Sequence, residues 1–177
     1  MWKKQKMLLF PIGDLMNTRV LQLLVDNTSG VLSRISGLFS RRGYNIDSIS
    51  AGVTADPRFT RITIVTSGDD DILEQIEKQL NKKLDVIKIK TFDENQSVSR
   101  ELMLIKVKYT KTNRRDVMEV AEAMNASIVD MSQTQMMLQI CDTPERTAML
   151  IKLLSAVSIV EIARTGTLAL PKCSDVD

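Results

Sequence analysis

The apolar positions of this chain alternate between two spacings, and that alternation predicts its elements in order. Val20–Val25 is a nearly unbroken apolar run of strand length. Val31, Leu32, Ile35, Leu38 and Phe39 then fall on one face of a period of about 3.6 residues, which predicts a helix over Val31–Arg42. Gly43 ends it, with Arg41 and Arg42 in the last turn, where cations suit the helix dipole. Strands follow at Ile46–Val53 and Thr60–Val65, divided by the Asp56-Pro57 turn. Asp69, Asp70 and Asp71 open a second helix, Lys82 and Lys83 close it, and Ile72, Leu73, Ile76 and Leu80 form its apolar face. Val86–Lys90, where Ile87 and Ile89 alternate with lysines, is the last strand of a βαββαβ order.

Residues 93–100 carry no period and read as a linker. The same order then recurs. Leu102–Val107 is a strand, and Val117, Val120, Ala121 and Met124 are spaced as a helix face. Strands follow at Ile128–Met131 and Met136–Cys141. Thr143 caps a further helix with Pro144 in its first turn and Met149, Leu150, Leu153 and Leu154 as its apolar face. Strand-like runs at Ile159–Ala163 and Thr167–Leu170 close the chain around Gly166.

The fold class is therefore α+β: two ferredoxin-like βαββαβ units, each a four-stranded antiparallel sheet with both helices on one face. The expected division is an N-terminal extension over 1–16 outside the fold, a first unit over 17–92, the linker, a second unit over 101–172 and a tail over 173–177. In the extension, Lys3, Lys4 and Lys6 precede the apolar run Met7–Ile12, which is short for a secretory signal and lacks a small-x-small cleavage site. Met16 is an alternative start. Each unit is near the size at which a lone core is marginal, so a dimer through the first unit is expected. The alternative is a monomer whose halves cover each other.

The junction of the first strand and first helix carries the candidate chemistry: Asn27-Thr28-Ser29-Gly30-Val31-Leu32-Ser33-Arg34. Thr28 or Ser29 is placed to cap the helix. Gly30 leaves room for another group to approach the free N–H donors. Those donors and the positive end of the dipole suit a small anion such as a carboxylate. Asn27 and Asn45 lie at strand edges either side of the helix and are candidates to flank the same pocket. On the residues alone, capping without a ligand is the favoured reading of the turn, since most capped helices bind none. The second half leads instead into Thr110-Lys111-Thr112-Asn113-Arg114-Arg115, so no matching pocket is expected there.

Composition removes whole classes of chemistry. The chain of 177 residues has no histidine, so the usual neutral-pH base, Ser-His and Cys-His pairs and imidazole zinc sites are excluded. Cys141, within an apolar strand, reads as a core thiol, and Cys173 lies in a polar tail; together they fit a reducing, cytoplasmic setting. No apolar run reaches the ~20 residues of a membrane span, and a net charge of +2 points to no polyanionic partner. The acidic run Asp69–Asp71 is a dipole-matched helix start rather than a cation site.

Three segments carry a likeness to a known family: Leu24 to Arg34, then Gly37-Leu38-Phe39-Ser40-Arg41-Arg42-Gly43-Tyr44-Asn45-Ile46, then Leu73 to Leu80. With Ile159 to Gly166, they resemble the regulatory (small) subunits of acetolactate synthase, over about Arg19 to Leu170. The resemblance implies that the first unit is an ACT domain that pairs with its mate in a homodimer. It implies that a branched-chain amino acid, chiefly valine, binds at the dimer interface as a feedback inhibitor. It implies a separate catalytic (large) subunit holding thiamine diphosphate, magnesium and a flavin (FAD), with no cofactor on this chain. By motif match, Asn27, Gly30, Val31 and Leu32 face one side of the ligand, and Asn45 and Ile46 of the partner chain face the other. Val31 stands where many relatives carry alanine, and its bulk is expected to shape the pocket. The extension before the first strand departs from the family pattern.

Other readings are distinguishable. RNA-recognition modules share the βαββαβ order but stack bases on sheet aromatics, whereas the third strand here reads Phe59-Thr60-Arg61-Ile62-Thr63-Ile64-Val65. A free-standing amino-acid sensor would share the pocket and differ in its partner. An enzyme in its own right would turn over pyruvate alone, and none is expected to do so here.

Overall fold

A computed structural model describes residues 17–92 and 97–173. The extension over 1–16, residues 93–96 and the end of the tail, 174–177, lie outside the described residues. The first unit runs β1 (Asn17–Asp26), α1 (Val31–Arg42), β2 (Ser48–Val53), β3 (Phe59–Gly68), α2 (Asp70–Leu80) and β4 (Val86–Phe92). The second runs β5 (Ser97–Lys108), α3 (Arg114–Ala123), β6 (Ser127–Met131), β7 (Gln135–Asp142), α4 (Pro144–Leu153) and β8 (Ser158–Arg164), followed by β9 (Leu168–Pro171). Each unit is the ferredoxin-like fold expected from the repeated order.

The first sheet has the order β2-β3-β1-β4 and is antiparallel throughout. Its register sets Leu21 against Ile64 and Leu23 against Ile62, so these four share the face on which α1 and α2 pack. With Val25, Ile35, Leu38, Phe39, Leu73, Ile76 and Leu80 they form one buried core. The second sheet repeats the order as β6-β7-β5-β8 around a core of Met103, Ile105, Val107, Leu138 and Leu150. Both central strands shift register against the last strand of their unit, between Leu24 and Val25 and between Lys106 and Val107.

Several expectations need correction. Ser97–Arg100, read as linker, is the start of β5 and pairs with β9. The polar alternation of Ser97, Ser99 and Arg100 hid a strand whose partner is only four residues long. Cys141 is exposed, because the β7 residues facing the core are Met136, Leu138 and Ile140, and Cys141 points the other way. On α4 and just beyond its end, Thr147, Leu150 and Leu154 are buried, while Met149 and Leu153 are half exposed. Two of the four residues expected on the core-facing stripe therefore lie off it. Helix α2 stops at Leu80 with Asn81 as its C-cap, so Lys82 and Lys83 fall beyond it and Lys78 is its last-turn cation.

The ribbon formed by β9 and the start of β5 lies on the open face of the first sheet. Gln22 and Thr63 point away from the helices there, yet they are 5% and 2% exposed. Gln22 Nε2 donates to the carbonyl of Ala169 at 2.6 Å, and Thr167 N–H donates to Ser48 Oγ at 3.0 Å. The halves thus cover each other in part.

Candidate functional site

The turn after β1 is built around Gly30. It is the N-cap of α1 with φ 84°, ψ −4°, in the left-handed region where L side chains are disfavoured. No side chain caps the helix, so the expected role of Thr28 or Ser29 is not what the structure shows. The backbone does the closing: Val31 N–H reaches the Thr28 carbonyl at 3.4 Å and Arg34 N–H the Gly30 carbonyl at 2.9 Å. Leu32 and Ser33 N–H, within the first turn, find no acceptor among the described residues. Two donors at the positive end of a helix of 12 residues therefore stand open to solvent.

The surrounding side chains are partly committed. Asn27 ties the turn to the β2–β3 hairpin: Nδ2 donates to the Pro57 carbonyl at 2.9 Å, and Oδ1 accepts from Thr60 Oγ1 at 3.0 Å. Val31 is buried in the first core, so its backbone rather than its isopropyl group faces the turn. Leu32 is 48% exposed, an aliphatic group beside the free donors. Arg34, which the sequence reading did not single out, arches back over Gly30. Its guanidinium binds Asp85 at 2.7 and 2.9 Å, and Nη1 lies 2.9 Å from where a Gly30 side chain would begin. The spacing of four helical residues between Gly30 and Arg34 was the available signal. This hydrogen-bonded guanidinium holds the Asp85 carboxyl below the usual range and raises Arg34 in turn.

Asn45 and Ile46 sit elsewhere. Asn45 is exposed, its Nδ2 2.5 Å from Asp47 Oδ1 and its carbonyl accepting from Thr66 Oγ1 at 2.6 Å. Ile46 is half-buried against the first core. Asn27 thus meets β3 at Thr60 and Asn45 meets it at Thr66, six residues and roughly 20 Å along the strand. Within one chain the two residue sets lie at opposite ends of the sheet and do not flank a common pocket. Between the two ends runs β2, one of the sheet's two edge strands, with Ile49 and Val53 exposed along it.

Comparison with known proteins gives the family. Residues 21–88 match the family model described as the AHAS small subunit-like ACT domain, and residues 100–173 match that for the small subunit of acetolactate synthase. The chain belongs to the acetolactate synthase small-subunit family. The Mycolicibacterium smegmatis small subunit is 43% identical over 88% of this chain and 91% of its own length. The isozyme 3 small subunit of Salmonella typhimurium is 41% identical over 87% and 95%. The crystal structure of the Thermotoga maritima small subunit superposes with a TM-score of 0.82 at 33% identity, covering 89% of this chain and 99% of that one.

The remaining surface of this small-subunit chain offers less. An open cleft of about 290 Å³ lies between the first sheet and β9, lined by Arg61, Lys88 and Lys90 with Leu24 and Leu170. In the second half, Asn113 Oδ1 accepts from Thr110 N–H at 2.7 Å, so the turn before α3 closes on itself. Asp69 caps α2 through Ile72 N–H at 2.8 Å, and Asp70 pairs with Arg19 at 3.5 Å. Among the described residues, no three His, Cys, Asp or Glu side chains converge as a metal site requires. Nor is any of their helices long and apolar enough to cross a membrane.

Proposed function

We propose that this chain is the regulatory subunit of acetolactate synthase in valine, leucine and isoleucine biosynthesis, acting in the cytoplasm. It activates a separate catalytic subunit, which carries thiamine diphosphate, magnesium and a flavin, and it confers feedback inhibition by valine. The observation that carries the ligand site is the uncapped start of α1, with Leu32 and Ser33 N–H free beside the exposed Leu32 side chain. These groups match the carboxylate and aliphatic chain of a small amino acid.

The separation of the two residue sets supports a homodimeric site. A two-fold interface repeats the same patch on both copies. Antiparallel pairing of β2 with β2 of a second copy brings the Ser48 end of one beside the Val53 end of the other. Val53 pairs with Thr60, which holds Asn27. The partner copy's 45–46 loop then arrives at this chain's Gly30 turn. Asn45 supplies a polar contact to the amino acid, and Ile46 lies against its side chain.

The test is the melting temperature of the full chain with valine, leucine, isoleucine or alanine. Ligand at ~100 times its dissociation constant adds about 2.7 kcal/mol, which is roughly a 5–11 °C rise at this size. A rise with the branched ligands and none with alanine is expected. No rise with any of them, alone or with the catalytic subunit added, overturns the ligand site.

A further inference from the structure

A side-chain hydrogen bond joins the candidate ligand loop to the second unit. Ser48 lies two residues after Ile46 and begins β2. Its Oγ accepts from Thr167 N–H at 3.0 Å, a bond spanning 119 positions of sequence. Thr167 is 6% exposed, so no solvent stands ready to replace that acceptor. Next to it, Gly166 has φ +80°, and a side chain there would begin 2.7 Å from Ser48 Oγ and 3.4 Å from the Ile49 carbonyl. Glycine is needed at 166 for its backbone angle and for the closeness of Ser48. The contact therefore has no slack: moving Ser48 either opens the bond to Thr167 or presses it onto Gly166.

The segment around Gly166 is gripped on both sides. Downstream, Gln22 Nε2 holds the Ala169 carbonyl at 2.6 Å from β1, the centre of the first sheet. Upstream, Thr165 N–H donates to the Leu102 carbonyl at 3.1 Å. Before that, Arg164 forms a two-pronged pair with the buried Glu101 and donates to Thr147 Oγ1 at 3.2 Å. A displacement at Thr167 is thus confined between the first sheet and the charged pair at the head of α4.

We infer that Ser48 is a positioning residue that couples amino-acid binding at the 45–46 loop to the second unit, through the Ser48–Thr167 bond and the 164–171 strap. The inference rests on the ligand site proposed above. A ligand shifts an equilibrium only through contacts that differ between two states, and the loop that would touch the ligand is the one that ends in Ser48.

The experiment uses the full chain with its catalytic subunit. Wild type, Ser48→Ala and Ser48→Thr are compared for valine affinity by calorimetry, for activation, and for the extent of inhibition at saturating valine. Ser48→Ala is expected to bind valine within about twofold of wild type and to activate normally, while losing at least half of the inhibition. Ser48→Thr, which keeps the acceptor, is expected to restore it. A merely structural role would not separate affinity from inhibition in this way. Full inhibition with Ser48→Ala overturns the coupling, as does joint loss of valine binding and inhibition, or a threonine variant as uncoupled as alanine. A wild-type chain that binds no valine fells the ligand site itself.

Discussion

Gly30 shows how one residue sets a site's chemistry. Its φ of 84° turns the chain so that α1 starts without a side-chain cap, and the first-turn donors stay free. A new side chain would begin 2.9 Å from Arg34 Nη1, the mobile end of a long side chain, so space alone does not forbid a substitution. Charge does the damage. In Gly30→Asp the new carboxylate competes with Asp85 for Arg34 and sits at the turn proposed to hold the ligand's carboxylate. Asp is among the residues that tolerate the left-handed region best, so the fold survives. Valine inhibition of the reconstituted enzyme is expected to weaken by about tenfold or more, a change of about 1.4 kcal/mol. An unchanged inhibition curve counts against this turn as the carboxylate site. Val31, by contrast, spends its side chain on the core of its own chain.

At the scale of elements, the two helix starts at α1 and α4 look alike in sequence and differ in structure. Thr143 accepts from Arg146 N–H at 3.4 Å ahead of Pro144, an ordinary side-chain cap. Ser29 precedes α1 and caps nothing. Thr143→Ala is expected to cost about 1 kcal/mol, read as roughly a 2–4 °C fall in melting temperature. Ser29→Ala is expected to stay within about 0.5 kcal/mol of wild type. Equal losses would mean that α1 is capped after all. The comparison also marks what the sequence could convey. Element order, most of both cores and the glycine turn were legible, because periodicity and punctuation are local. The start of β5 was not, because Ser97 to Arg100 are held by pairing with β9, more than sixty residues on. The choice of Gly30 as cap depended on a backbone angle that the Thr28-Ser29 pair before it does not announce. Arg34 became relevant only once Asp85 was beside it.

The whole molecule decides whether the site is shared between copies. In one chain, Asn45 and Gly30 lie at opposite ends of β3, so a complete site needs a second copy or is not a single site. Complementation separates these cases. In a two-fold dimer each site takes the turn from one copy and the loop from the other. Gly30→Asp spoils every turn, and Asn45→Ala removes a polar contact worth ~1–3 kcal/mol from every loop. A mixed dimer, however, places both lesions in one site and leaves the other intact. Random mixing makes half the dimers mixed, so about a quarter of all sites are expected to regain wild-type valine affinity. Equilibrium dialysis with labelled valine counts them directly, since each variant alone contributes none at a concentration that fills only wild-type sites. A pocket built within one chain gives no such recovery, because every chain then carries a lesion. Recovery of a high-affinity class in the mixture, absent from either variant, would place the two residue sets on opposite sides of one interface.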